Sequence, residues 1–255
     1  MRIIVLPDAQ VKPGVPTEHL EALGNYIVDK RPDAIVCIGD FFDMPSLGQH
    51  SPKGHIDYEG ARMALDLEAG HAAMERFLRP LSNLNAQRIR NRKAPYRPIM
   101  EFTHGNHEYR RERLIEQNPI LQGSIPDYDL NRIYGWREHA YMQPVKLGGT
   151  NFCHVACGGA LNRPISRAHL IATKKHESWI VGHQQVLDIY ISPHVKTDGS
   201  RVQCVISGAF YQHDEGYMGP QGNRHWRGAL MLNEVHDGAF DICTLSLPYL
   251  LKEWI

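Results

Sequence analysis

Short, fully apolar runs alternate with amphipathic stretches through the first hundred residues, and short apolar runs dominate after Val145. Residues 2–6 read as a buried strand that ends where Asp8 opens a loop. Pro13, Gly14 and Pro16 mark a turn, and Thr17 with Glu18 starts a helix to about Lys30. Leu20, Leu23 and Ile27 give that helix its apolar stripe. Pro32 and Asp33 end it, and residues 34–38 form a second strand leading into Gly39 and Asp40. Asp8 and Asp40 thus fall at the carboxyl ends of two parallel strands, where open α/β sheets bind ligands.

Residues 44–98 break this rhythm. Pro45, Gly48, Pro52 and Gly54 predict a loop, and a helix follows from about Tyr58 to Arg79. Met63, Leu67, Met74, Phe77, Leu78 and Leu81 recur at helical spacing, a stripe best explained by core packing. The basic run from Gln87 to Lys93, before Pro95, reads first as a solvated loop and second as a phosphate-backbone contact. Residues 99–103 make the next strand, and 109–140 read as helix followed by irregular loop. Further strands are predicted at 151–155, 179–181, 186–191, 202–207, 229–235 and 240–245, with hairpin turns at Gly148-Gly149 and Asp237-Gly238. The pattern predicts two stacked sheets with helices outside.

Composition changes this picture little. The formal net charge is zero, so no global field draws the chain to nucleic acid or anionic membrane. The five cysteines are an odd number in a chain too long to need a disulfide framework, and they read as free thiols of a reducing compartment. Cys153 and Cys157 have no second pair to complete a metal site. No apolar run is long enough to span a membrane, and the N-terminus lacks a signal-peptide core, so a cytoplasmic protein is expected.

The chemistry lies in five ordered motifs: Asp8-Ala9-Gln10, Gly39-Asp40-Phe41-Phe42-Asp43, Gly105-Asn106-His107-Glu108, His154, and Gly182-His183-Gln184-Gln185. Four follow apolar, β-branched runs, so carboxylates, amides and imidazoles collect along one sheet edge as oxygen and nitrogen donors for metal. Each alone has a plainer explanation: an Asp after a strand caps a helix, an Asn beside glycine makes a turn, a lone His is a satisfied core residue. Their joint order outweighs those explanations. His213, His225 and His236 have no motif around them and are assigned to surface or loop.

This ordered set resembles the calcineurin-like metallophosphoesterases. The strings from Asp40 to Leu47 and from Asp8 to Gly14 are similar to an uncharacterised, bacteriophage-encoded group within them. The resemblance implies a four-layer α/β/β/α sandwich of two mixed sheets, a single domain over 1–255 with a helical, basic insertion at about 44–98. It also implies a hydroxide activated between two divalent ions that attacks a phosphoester. Asp8, Gln10, Asp40 and Gln185 would surround the first ion, and Asp40, Asn106, His154 and His183 the second. His107 is the expected general acid or electrostatic partner of the leaving oxygen, oriented by Asp43; Glu108 completes its motif without an assigned role.

Gln10 and Gln185 stand where the family has histidines. A carboxamide oxygen is a neutral, hard donor, so Mn²⁺ or Mg²⁺ is favoured, with Zn²⁺ or Fe admitted at the second position. The fuller signature of protein serine/threonine phosphatases is missing, because Met44 and Pro45 follow Asp43. A phosphodiester in DNA, RNA or a nucleotide is the favoured substrate, from Arg88 to Arg97 and from Arg110, Arg111 and Arg113 beside His107. A phosphomonoesterase or protein phosphatase is the alternative, and a non-catalytic phosphate-binding or scaffold module a further one. Residence would be host cytoplasm if the chain is phage-encoded. The apolar end from Leu245 to Ile255 reads as an edge strand and short segment packed back on the domain, or else as a partner contact. The oligomeric state is left open.

Overall fold

The first apolar run forms strand β1 (Ile3–Leu6), buried along its whole length in this computed structural model, which describes residues 1–48, 59–216 and 219–255. Helix α1 (Glu18–Lys30) returns the chain to the parallel strand β2 (Ala34–Cys37). Strand periodicity sorts the side chains of these two strands between two cores. Ile3, Val5, Ala34 and Val36 face inward toward the second sheet, whereas Ile4, Leu6, Ile35 and Cys37 face the helices.

Helix α2 (Met63–Arg90) runs eleven residues beyond the expected stop at Arg79. Pro80 lies inside it, normally a break because proline lacks the amide donor. Here the proline ring packs closely on Gly24 of α1, and tertiary contact carries the helix past it. The basic run therefore forms the last helical turn and the turn after it, not an open loop. Pro45 begins a short 3-10 turn (Pro45–Leu47); the loop expected at Pro52 and Gly54 lies outside the described residues, as does Tyr58, and the helix expected from about there starts only at Met63, after a turn at residues 59–60.

Strand β3 (Ile99–Thr103) pairs parallel with β2, and helix α3 (Tyr109–Gln117) follows its loop. The segment expected to be irregular then holds helix α4 (Leu130–Tyr134) and strand β4 (Arg137–His139), which extends the sheet parallel to β3. Strands β5 (Val145–Leu147) and β6 (Thr150–Cys153) form the hairpin turned by Gly148-Gly149. A small hairpin of β7 (Cys157–Gly158) and β8 (Arg163–Pro164) precedes helix α5 (Ala168–Lys175), which the short-strand pattern concealed. Strands β9 (Trp179–Val181), β10 (Leu187–Ile191) and β11 (Gln203–Ser207) complete the second sheet, ordered β10-β11-β9-β6-β5.

After the single turn α6 (Gly219–Gly222), strands β12 (Gly228–His236) and β13 (Ala239–Ser246) return to the first sheet, ordered β13-β12-β1-β2-β3-β4. The apolar C-terminus is helix α7 (Leu247–Trp254), capped by Ser246 and packed back on α1. Phe152, Ile180, Val205, Leu230 and Leu232 join the β1 and β2 side chains between the sheets. Helices α1, α2 and α7 cover the outer face of the first sheet, and α5 covers that of the second. The fold is a four-layer α/β/β/α sandwich of two mixed sheets. No described helix is long and apolar enough to cross a membrane. All five cysteines are free thiols.

Candidate metal centre

Five parallel strands, β1, β2 and β3 of one sheet and β6 and β9 of the other, deliver their following loops to the same edge of the sandwich. The loops interlock before any side chain acts. Gln10 N–H donates to the carbonyl of Asp40 at 2.8 Å, and Val11 N–H to that of Phe41 at 2.8 Å. Gly39 (φ +95°) lies against Gly105, where a side chain would strike Asp40. Asp40, Gln10, His183 and Gln185 all hold left-handed backbones (φ +50°, +42°, +67° and +56°). Such conformations cost non-glycine residues free energy and persist where the surroundings impose them, often at functional sites.

Asp40, His154 and His183 bring one ligand atom each within 4.8 Å of one another. Asn106 Oδ1 lies between the imidazoles, 3.0 Å from His154 Nε2 and 2.8 Å from His183 Nδ1. His154 Nε2 is 3.3 Å from Asp40 Oδ2. His154 Nδ1 faces the Ile38 carbonyl at 3.0 Å, which can only accept, so Nδ1 keeps its proton and Nε2 is the nitrogen that can be freed for an ion. Burial and the neighbouring His154 push the His183 imidazole down to about 4, so it is neutral and ready to ligate. Burial lowers His154, but the charge and hydrogen bond of Asp40 outweigh that and push it up to about 9. This donor set fits a divalent ion, whose charge would hold the Asp40 carboxylate and expel the imidazole proton.

The first-ion set is arranged differently. Asp8 is fully buried and accepts from His183 N–H at 3.1 Å; burial, with Asp40 adding, pushes its carboxyl up to about 7. Gln10 is fully buried, and neither its carboxamide oxygen nor its nitrogen has a partner among the described residues. Orphaned buried polar atoms are costly, and a bound cation would satisfy the oxygen. Gln185 Oε1 instead accepts from the Tyr211 hydroxyl at 2.8 Å. One lone pair is left for an ion, so the residues fit a weakly held cation.

His107 donates from Nδ1 to Asp43 Oδ1 at 2.7 Å, as expected of an imidazole oriented by a carboxylate. Burial opposes the charge on Asp43, but the His107 bond and the charges of His107, Lys12 and Arg110 hold it down near 2. Lys12 bridges Asp43 at 3.2 Å and the buried Glu215 at 2.7 Å. Of the three arginines expected to favour a phosphodiester, Arg110 and Arg111 have their donors occupied within the protein. Arg110 is buried, donating to the carbonyls of Asp43 (2.7 Å) and Met44 (3.1 Å) and to His107 Nε2 at 3.1 Å. A guanidinium only donates, so a proton can occupy Nε2 only once Arg110 withdraws. Arg111 is tied to the carbonyls of Ile125 and Pro126.

Glu108, which the motif left without a role, clasps the loops. Its fully buried carboxylate accepts from the amides of Asp40 (2.8 Å), Gly105 (2.7 Å) and Phe42 (2.9 Å). The basic stretch 88–97 lies before the start of β3, and the ligands follow its end, about 16 Å away for a five-residue strand. Arg88–Arg97 therefore lie toward the opposite end of β3 from the cluster. His213 and His225 flank Tyr211 in a partly buried loop, and His236 is exposed.

The sequence matches no protein-family model, and no curated protein matches it. Among solved structures, Yfce, a phosphoesterase from E. coli, aligns over 97% of this chain and 100% of its own at 13% identity, with a TM-score of 0.41. TT1561 of Thermus thermophilus aligns over 95% of this chain and 98% of its own at 14% identity, with a TM-score of 0.27. Neither likeness carries a functional argument.

Proposed function

We propose that this chain is a metal-dependent phosphoric ester hydrolase of the calcineurin-like type, acting on a phosphodiester. The observation that carries the reading is the convergence of Asp40, Asn106, His154 and His183 on one point at the carboxyl ends of strands from both sheets. Asp40 would be shared between this, the second-ion set, and the first-ion set of Asp8, Gln10 and Gln185. Divalent ions at these positions, Mn²⁺ or Mg²⁺ favoured, with Zn²⁺ or Fe admitted at the second, would supply positive charge to the phosphoryl oxygens and make water acidic enough to attack near neutral pH. The protein's own part is to fix the donors: Glu108 sets the loops, Ile38 sets the His154 tautomer, and Asp43 with Lys12 and Arg110 sets His107. From that position His107 balances charge at the leaving oxygen. The domain is taken to be 1–255 with 44–98 inserted, in a reducing cytoplasm, a host's if the chain is phage-encoded.

Asp40→Asn should abolish hydrolysis of bis-p-nitrophenyl phosphate with Mn²⁺ while leaving the unfolding midpoint near that of wild type. Retained wild-type turnover would end the reading. The Gln185–Tyr211 bond favours a second reading, a phosphate-binding module whose chemistry has lapsed. One tight ion by calorimetry, with no turnover of any mono- or diester, would select it. Turnover of p-nitrophenyl phosphate far above every diester would make the chain a phosphomonoesterase.

A further inference from the structure

Two tyrosines border the cluster on the side of His154. Tyr109 opens α3, two residues beyond His107, and Tyr141 lies in the turn after β4, where Gln143 N–H closes onto the Ala140 carbonyl at 2.9 Å. Their rings are stacked, with centroids 5.3 Å apart and planes 23° from parallel. The Tyr141 ring in turn lies 6.3 Å from that of His154. Both residues are half-buried, so each ring is anchored and still reachable. The Tyr109 hydroxyl donates to Glu116 at 2.7 Å, which fixes the ring before anything binds. Burial, with Cys157 and Asp40 adding, pushes the Tyr141 phenol up to about 12, so it stays neutral at working pH. Neither ring belongs to the three apolar cores.

We infer that Tyr109 and Tyr141 form an aromatic platform that recognises a flat ring carried on the phosphoester, of which a nucleobase is the biological case. The inference rests on the phosphoesterase reading and names its substrate class. Stacking suits this place because every base offers a π-face, so the platform selects nucleotides over alkyl esters without choosing a sequence. It also supplies a contact to the substrate beside the ligands, whereas the basic run lies toward the other end of β3. The zero net charge agrees, since stacking needs no field over the whole protein.

The test compares two diesters with one leaving group, bis-p-nitrophenyl phosphate and methyl p-nitrophenyl phosphate. Wild type should show a KM roughly tenfold lower for the aryl diester. That ratio should collapse toward one in Tyr141→Leu and survive in Tyr141→Phe. If Tyr141→Leu does not fold, Tyr109→Leu and Tyr109→Phe serve for the same comparison. Equal KM values in wild type, or a preference kept by the leucine variants, overturns the platform and leaves the phosphoesterase reading standing. If neither diester is hydrolysed with any metal, that reading falls, and calorimetry of the metal-free chain decides the platform. Thymidine monophosphate should then bind more tightly than ribose 5-phosphate in wild type and not in the leucine variants; equal binding or none overturns it.

Discussion

Replacing Glu108 with glutamine exchanges one oxygen for an amino group, and the structure makes that exchange costly. Oε2 accepts from two amides and Oε1 from one, all between 2.7 and 2.9 Å and fully buried. Hydrogen bonds to a charged group contribute about 1.5–3 kcal/mol each. Glutamine keeps its oxygen toward Asp40 and Gly105 at best, which turns its amino group against the Phe42 N–H. One bond is then lost, a donor is left buried, and the other two lose charge assistance. Against this, burial and the Asp40 charge push the Glu108 carboxyl above its ordinary range, so removing the charge returns part of the loss. The net expected destabilisation is about 2–4 kcal/mol, and Glu108→Ala, which orphans three amides and opens a cavity, should exceed about 4 kcal/mol. Urea unfolding at neutral pH measures both, and amide hydrogen exchange at Asp40, Phe42 and Gly105 should quicken in the glutamine variant. A Glu108→Gln midpoint equal to wild type, with unchanged protection, would refute the clasp.

Three other outcomes are expected. Gln10→His/Gln185→His should lower the Mn²⁺ concentration for half-saturation in calorimetry, because imidazole is the stronger donor; an unmoved midpoint would show that these side chains do not face an ion. His19 is buried and pushed down to about 4 by desolvation, from an ordinary value near 6.5. Its unfolded form binds a proton first, so stability is complete above pH 6.5 and falls by about 3 kcal/mol as pH drops to 4. Denaturation midpoints of wild type and His19→Gln across that range should converge at low pH, and parallel curves would exclude His19 as the cause. A chain ending at Ser246 loses the buried Leu247 and Leu250 and the Trp254 edge contact with Tyr26 at 5.2 Å, and should be destabilised by at least about 4 kcal/mol. Sedimentation should give the truncated chain, if folded, the same subunit number as wild type; a change would restore the subunit-contact explanation of that apolar end.

The strands that carry the candidate ligands were legible because most contain a short apolar run that must be buried, as β1, β2 and β9 are throughout, and the side chain following such a run lands at the sheet edge. Asp8, Asp40, Asn106, His154 and His183 could therefore be gathered at one sheet edge from their order, and only the resemblance divided them between two ions. Asp43 beside His107 was legible only through the resemblance. Partnerships between distant segments were not legible. The Glu108 clasp joins amides 66 and 68 residues away, and Tyr211 meets Gln185 across 26 residues. Arg110 looked like a substrate arginine by its place in the chain, and only the turn at Asp43 and Met44 shows its donors occupied. Helix α2 passes Pro80 because α1 offers a glycine there, a contact that no local propensity encodes. The basic run was legible as charge, but its place at the far end of β3 was decided by the direction in which that strand runs. Apolar periodicity is written locally and survives in the sequence; a hydrogen bond between loops exists only once the sheets have brought them together.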